Sequence, residues 1–221
     1  MRLFKYNKYF EGLTTLGYSA FSKCTGLTTV NLPESLKSIG GVDFYMCSSL
    51  TEITIPDSVT SIGKYAFSGC ASLKSVIVPE SVTSMEPGVF SECSGLTSVT
   101  IPKSINTIAN NLFFECTSLA KLTIPDSVTS IEYSAFSECT SLTTITIPKS
   151  VTSIGNEAFH ECTNLTKVYY MGDSASWDLI KISDPNDQLN SENLYFYSEA
   201  KPTDSGNYWH YVDSNIVEWD I

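Results

Sequence analysis

The sequence predicts a repeat solenoid, mostly β with short turns, built from stacked coils and closed by a small aromatic C-terminal segment. Three observations predict it. Cysteine recurs at Cys24, Cys47, Cys70, Cys93, Cys116, Cys139 and Cys162, always 23 residues apart. Phenylalanine keeps the same interval from Phe21 through Phe44, Phe67, Phe90, Phe113 and Phe136 to Phe159, and leucine from Leu27 to Leu165. Proline joins the phase from Pro33 to Pro148. A fixed period in this range marks stacked repeats, because one unit cannot bury its own apolar face.

One unit reads L-x-x-V-x-I-P-x-S-V-x-S-I-x-x-x-A-F-x-x-C-x-x. In residues 119–125, Leu122 and Ile124 alternate with Lys121 and Thr123, the period of a strand with one buried face. Pro125 has no N–H to give a ladder and ends that strand. The β-branched stretch after it returns a second apolar pair, Val128 and Ile131. Ala135 and Phe136 then turn inward, and Cys139 closes the coil. No unit carries a helical pattern of ten residues. A strand spacing of about 4.8 Å would give seven coils a length of about 34 Å. The Phe column is expected in the interior, with Phe113 stacked between Phe90 and Phe136. Phe114, in a position held elsewhere by Ser or His, is expected to be exposed.

Units such as LTTITIPKSVTSIGNEAFHECTN at 142–164 resemble the BspA-like leucine-rich repeat family, and the resemblance runs over about residues 13–170. It implies a right-handed superhelix with a parallel strand ladder on one face. It also implies a role in adhesion or host-protein binding, at the cell surface or outside the cell. The stretch 4–16 keeps the phase poorly, with Asn7, Tyr9 and Phe10 where Val, Ile and Pro are expected. Its aromatics, Phe4, Tyr6, Tyr9 and Phe10, suggest end-to-end self-association through the N-terminal coil. The first residues, MRLFKYNKYF, hold no apolar signal-peptide core.

The period therefore divides the chain into a solenoid, residues 1–168 in seven coils, and a capping segment, residues 169–221. The second part holds all 3 Trp of the chain, Trp177, Trp209 and Trp219. Residues 172–182 suggest a helical turn starting near Ser174 or Ser176. Residues 193–199 alternate like a strand, and 206–213 read as a further strand and a turn. An open apolar end would aggregate, so this segment is expected to seal the last coil.

Charge narrows the partners. The net charge of −11 argues against nonspecific nucleic-acid binding and against anionic membranes. No run approaches the about 18 apolar residues of a helical membrane span, so no membrane insertion is expected. The acids are concentrated late, with 10 acids and 2 bases in residues 169–221.

The cysteine column admits metal, disulfide and packing readings. One thiol per coil cannot converge on an ion, and parallel side chains in odd number do not form a disulfide framework. Buried, reduced thiols that donate weakly to backbone are expected, which argues against a strongly oxidising compartment. The acidic column Glu92, Glu115, Glu138 and Glu161 reads as a solvated fan, with calcium as the sharper alternative. No cofactor or metal is expected. Only 2 histidines occur, His160 and His210, and no catalytic motif accompanies them.

Outward strand positions form the better candidate surface. Glu52, Thr54, Thr100, Lys121, Thr123, Thr144, Thr146, Lys167 and Tyr169 lie in two columns on the strand face, where a solenoid offers a broad, rigid platform. They suggest a non-catalytic interaction or adhesion module with a protein ligand. Two alternatives stand beside it. Tyr208, Trp209 and Tyr211 suggest a glycan-binding module that uses the cap aromatics as stacking platforms. A purely structural spacer requires no site.

Overall fold

The computed structural model describes residues 12–220. From Ser75 onward each coil places two short strands on two sides of the solenoid, while the two coils before it carry one strand each, both on the second side. The first two are β1 (Ser38–Ile39) and β2 (Ser61–Ile62). The next three coils add β3 (Ser75–Ile77) with β4 (Ser84–Met85), β5 (Ser98–Thr100) with β6 (Thr107–Ile108), and β7 (Lys121–Thr123) with β8 (Ser130–Ile131). Then come β9 (Thr144–Ile147) with β10 (Ser153–Ile154), and β11 (Lys167–Tyr170). Pairing between coils is parallel and in register, so Lys121, Thr144 and Lys167 face one another across β7, β9 and β11. The alternation read from sequence holds there. Leu122, Ile145 and Val168 point into the core, while Lys121 and Thr123 stay exposed.

The third side is held differently. In each coil two residues adopt the left-handed conformation, for example Asn111 (φ 54) and Glu115 (φ 54). This turns three alternate N–H groups toward the next coil. Asn111, Phe113 and Glu115 donate to the carbonyls of Tyr133, Ala135 and Ser137 at 2.9, 2.8 and 2.9 Å. The same triplet recurs from Val42, Phe44 and Met46 onward. Inside this corner the Phe rings stack at 5.2 to 5.8 Å between centroids, and Phe113 lies between Phe90 and Phe136 as expected. Each buried thiol donates to the Phe carbonyl one coil back, as Cys139 does to Phe113 at 3.1 Å. Serine hydroxyls repeat a similar bond at another corner, with Ser127 donating to the Ile105 carbonyl at 2.6 Å.

Two expectations need correction here. Six cysteines are buried, but Cys24 is only half-buried, in the first described coil. Phe114 is half-buried rather than exposed. The early aromatics Phe4, Tyr6, Tyr9 and Phe10, with Asn7, lie outside the described residues.

The capping segment continues the stack instead of forming a separate body, and residue 168 falls inside β11. After it come α1 (Ser174–Trp177), β12 (Lys181–Ile182), β13 (Leu194–Tyr197), β14 (Tyr208–Val212) and β15 (Asn215–Glu218). The helix is a single turn that starts at Ser174, as expected, and is capped by Asp173, whose carboxylate accepts from Ser176 N at 2.8 Å. Strand β12 adds to β10, and β13 adds to β11, both parallel. Asn186 replaces the missing next coil. Its side-chain oxygen accepts from Phe159 N at 2.9 Å, the position a carbonyl fills lower in the stack. The alternating stretch 193–199 thus becomes β13, and 206–213 becomes β14 with its turn. The return strand β15, antiparallel to β14, was not legible beforehand.

Candidate functional site

Strands β14 and β15 form a hairpin that comes back against the strand face. Trp209 packs edge-on against Tyr169, Tyr197 and Tyr211 at 5.5, 5.3 and 5.0 Å. Its indole N–H donates to the Tyr170 carbonyl at 3.0 Å. From β15, Glu218 accepts hydrogen bonds from the Lys167 ammonium and from the Tyr169 hydroxyl. Burial opposes the Glu218 charge, but these two donors outweigh it and hold its carboxyl below the usual range. The hydrogen bond to Glu218 raises Lys167, and burial followed by Glu218 raises Tyr169. The hairpin is therefore clasped onto the ladder by one carboxylate.

Beside the clasp the strand face opens into a groove of about 1020 Å³. Its floor carries Ser98 and Thr100 of β5, Lys121 and Thr123 of β7, and Thr144 and Thr146 of β9. Glu80, Lys103 and Asp126 border it where the strands end, and Met171, Tyr211 and Ile216 contribute from the cap. The Tyr211 hydroxyl lies 3.6 Å from the Met171 sulfur. Burial, then the charge of Asp126, raises Tyr211 above the ordinary phenol value. The groove thus combines hydroxyls, two ammonium groups and two carboxylates on a rigid floor with an apolar lip. Such a mixture suits recognition by hydrogen bonds and shape better than proton transfer at a single activated group. Among the described residues no three His, Cys, Asp or Glu side chains gather as a metal centre requires.

The expected strand-face residues divide into three groups. Thr100, Lys121, Thr123, Thr144 and Thr146 come together in the groove, although Thr146 is only 4% exposed beneath the cap. Glu52 and Thr54 are exposed on earlier coils and do not line it. Lys167 and Tyr169 are engaged by the clasp; Tyr169, 5% exposed, is not part of an open platform, while the Lys167 side chain stays 41% exposed but does not line the groove. The stacking trio separates as well. Trp209 is wholly buried and holds the hairpin, which removes it as a platform for a sugar ring. Tyr208 is half-buried and donates its hydroxyl to Asp204 at 3.0 Å. Only Tyr211, 43% exposed, reaches the groove.

The acidic column falls on a left-handed backbone position. Glu92, Glu115, Glu138 and Glu161 hold φ values of 58, 54, 61 and 55°. Burial, then Glu138 and Glu92, pushes the Glu115 carboxyl up. The two histidines lie apart, His160 near Glu161 and His210 stacked on Trp219 at 3.9 Å. Sequence reasoning missed Met171, Ile216 and Glu218, which fall outside the period. It also missed Lys103 and Asp126, whose column after each proline varies in charge and gave no signal.

Comparison with known proteins follows the same lines. The family profile described as BspA type Leucine rich repeat region matches six times, over residues 4–116 and 86–179. No curated protein matches the chain significantly. Among solved structures, a leucine-rich repeat protein from Bacteroides ovatus is 28% identical with a TM-score of 0.64. That match covers 83% of this chain and 52% of the Bacteroides protein, so the chain spans about half of that relative's length. A leucine-rich repeat protein of T. pallidum is 29% identical with a TM-score of 0.61, covering 64% of this chain and 68% of its own. A leucine rich cell surface protein from Faecalibacterium prausnitzii is 25% identical with a TM-score of 0.51, covering 76% and 66%.

Proposed function

We propose that this chain, which belongs to the BspA-type leucine-rich repeat family, is a non-catalytic adhesion or protein-interaction module that receives a partner protein in the strand-face groove. One observation carries the reading. The exposed outward residues Thr100, Lys121 and Thr123 meet the hairpin residues Tyr211 and Ile216 around one open volume. A solenoid floor of this kind is broad and rigid, so its partner meets preorganised donors and acceptors. The likeness to a bacterial cell surface protein supports a location at the cell surface or outside the cell. The glycan reading retains Tyr211 alone of its three residues, and a spacer has no use for a groove lined by two lysines.

The test is a binding screen of the full chain against an array of extracellular matrix proteins and an array of glycans. Binding to a matrix protein that weakens at least about tenfold in Lys121→Glu supports the proposal. Thr54→Arg, outside the groove, should leave that binding unchanged. Retention by glycans alone, lost in Tyr211→Ala and kept in Lys121→Glu, would favour the glycan module instead.

A further inference from the structure

Coils 73–95, 96–118 and 119–141 carry the same unit but are not bonded alike. On the first strand side, β5 pairs back to β3 and has no pairing with β7. On the second strand side, β6 pairs forward to β8 and has no pairing with β4. The coil 96–118 thus joins the earlier stack through its first strand and the later stack through its second. The chain crosses between the two halves at 101–106. Elsewhere the first ladder is also unpaired between the Thr54 bridge and β3, but there the second ladder, β1–β2–β4, is intact.

The flanking backbone follows the break. Thr97 N donates to Lys74 O and Thr143 N to Ala120 O, both at 2.9 Å, while Ala120 N makes no such bond to Thr97. Thr83 and Thr129 donate to Thr60 and Asn106 at 2.9 Å, while Asn106 N makes none to Thr83. Ile101 and Ala109 likewise lack the bonds made by their counterparts Val78, Ile124, Glu86 and Glu132. Packing loosens at the same place. Val99 is half-buried, although Val76 and Leu122 in the neighbouring coils are 2% and 6% exposed. The third side is unbroken, with Gly88, Phe90 and Glu92 donating to Asn110, Leu112 and Phe114. Between the two open sides only local pins remain. The Ser104 hydroxyl donates to Val82 O, and Lys103 N donates to the Glu80 carboxylate.

We infer that the solenoid flexes as two bonded halves about this seam, with the Phe and Cys side as the hinge. The groove lies across the opening, because Ser98 and Thr100 belong to one half and Lys121 and Thr123 to the other. Flexing changes the width of the groove floor, and a ligand touching both halves favours the closed form. The hinge itself does not depend on the groove having a ligand.

The experiment is amide hydrogen exchange on the full unliganded chain. Ile101, Asn106, Ala109 and Ala120 should exchange at least about tenfold faster than Val78, Thr83, Glu132 and Thr143. A second arm locks one side only. Thr100→Cys with Thr123→Cys joins β5 to β7 on oxidation, and Ser130→Cys with Ser153→Cys, facing positions of β8 and β10, is the control. A hinge couples its two open sides, so locking β5 to β7 should slow Asn106 and Ala109 about tenfold, on the side that carries no cross-link. Uniform exchange across the four sites would overturn the inference. So would a lock without effect on Asn106 and Ala109, or a seam disulfide that fails to form where the control forms, since the seam would then be a fixed gap.

Discussion

Replacing Phe113 by Ala attacks the solenoid where it is most continuous. The ring is wholly buried between Phe90 at 5.8 Å and Phe136 at 5.4 Å, nearly parallel to both. Emptying a Phe site in a core costs about 3–5 kcal/mol, and the spread depends on how far the surroundings collapse. Here they are held apart. Phe113 N is bonded to Ala135 O at 2.8 Å, and Phe113 O accepts from Cys116 N and from the Cys139 thiol, each at 3.1 Å. A fixed backbone leaves the cavity open, so a loss near about 5 kcal/mol is expected. Stability in such a stack is a sum over neighbours, so the loss falls on the middle coils. Urea unfolding followed by circular dichroism should broaden and separate from the fluorescence transition, because Trp177, Trp209 and Trp219 all report from the C-terminal end. Phe114→Ser, which installs the residue found at Ser68, Ser91 and Ser137, should cost under about 1.5 kcal/mol. An unchanged midpoint for Phe113→Ala, or equal losses in the two variants, would refute the reasoning.

Four further outcomes are expected. Thiol titration of the folded protein should find Cys24 reactive and the other six silent until denaturation, since burial pushes Cys47 up to about 11 and Cys93 and Cys162 to about 12. Glu115→Asn should stabilise by about 1 kcal/mol through its left-handed backbone position. A further gain should appear only at higher pH, because a raised carboxyl costs stability when charged and stops doing so as pH falls through its raised value, and thermal melts on both sides of the ordinary 4.5 would show it. Glu218 has the opposite sign. Its clasp should be intact above 4.5 and lost as pH falls through its lowered value, with Glu218→Gln abolishing that step in tryptophan fluorescence. Finally, a chain ending at residue 168 should aggregate or form end-to-end oligomers by light scattering, because it lacks Asn186 and the strands β12 and β13; a folded monomer would contradict the capping role.

What could be read beforehand followed from repetition. A column that returns every 23 residues reports its own environment seven times, so the Phe stack, the inward thiols and the outward threonines were legible. The left-handed positions were not, because Lys23, Met46 and four glutamates occupy one of them and none favours that backbone. Gly69 in the same column, at φ 72°, was the available hint, since glycine takes this conformation without strain. The broken pairing around β5 was invisible because its strand residues match those of its neighbours. The fate of Tyr169 and Trp209 was hidden for another reason. Tyr169 continues the outward column of Thr123 and Thr146 and is outward in every local sense. It is covered by a hairpin formed some 40 residues later in the chain, and no periodicity encodes that return.

The left-handed side also gives the solenoid an electrical direction. There the five coils from Val42 to Glu138 each aim three N–H groups toward the next coil, and each offers carbonyls to the one before. These peptide dipoles add along the stack as they do along a helix axis, with the positive pole at the C-terminal end. That pole is where Asn186 offers an oxygen and where residues 169–221 carry 10 acids against 2 bases. Read this way, the acidity of the ending is matched to the polarity of the array it terminates. A basic segment of the same shape would meet its own sign there.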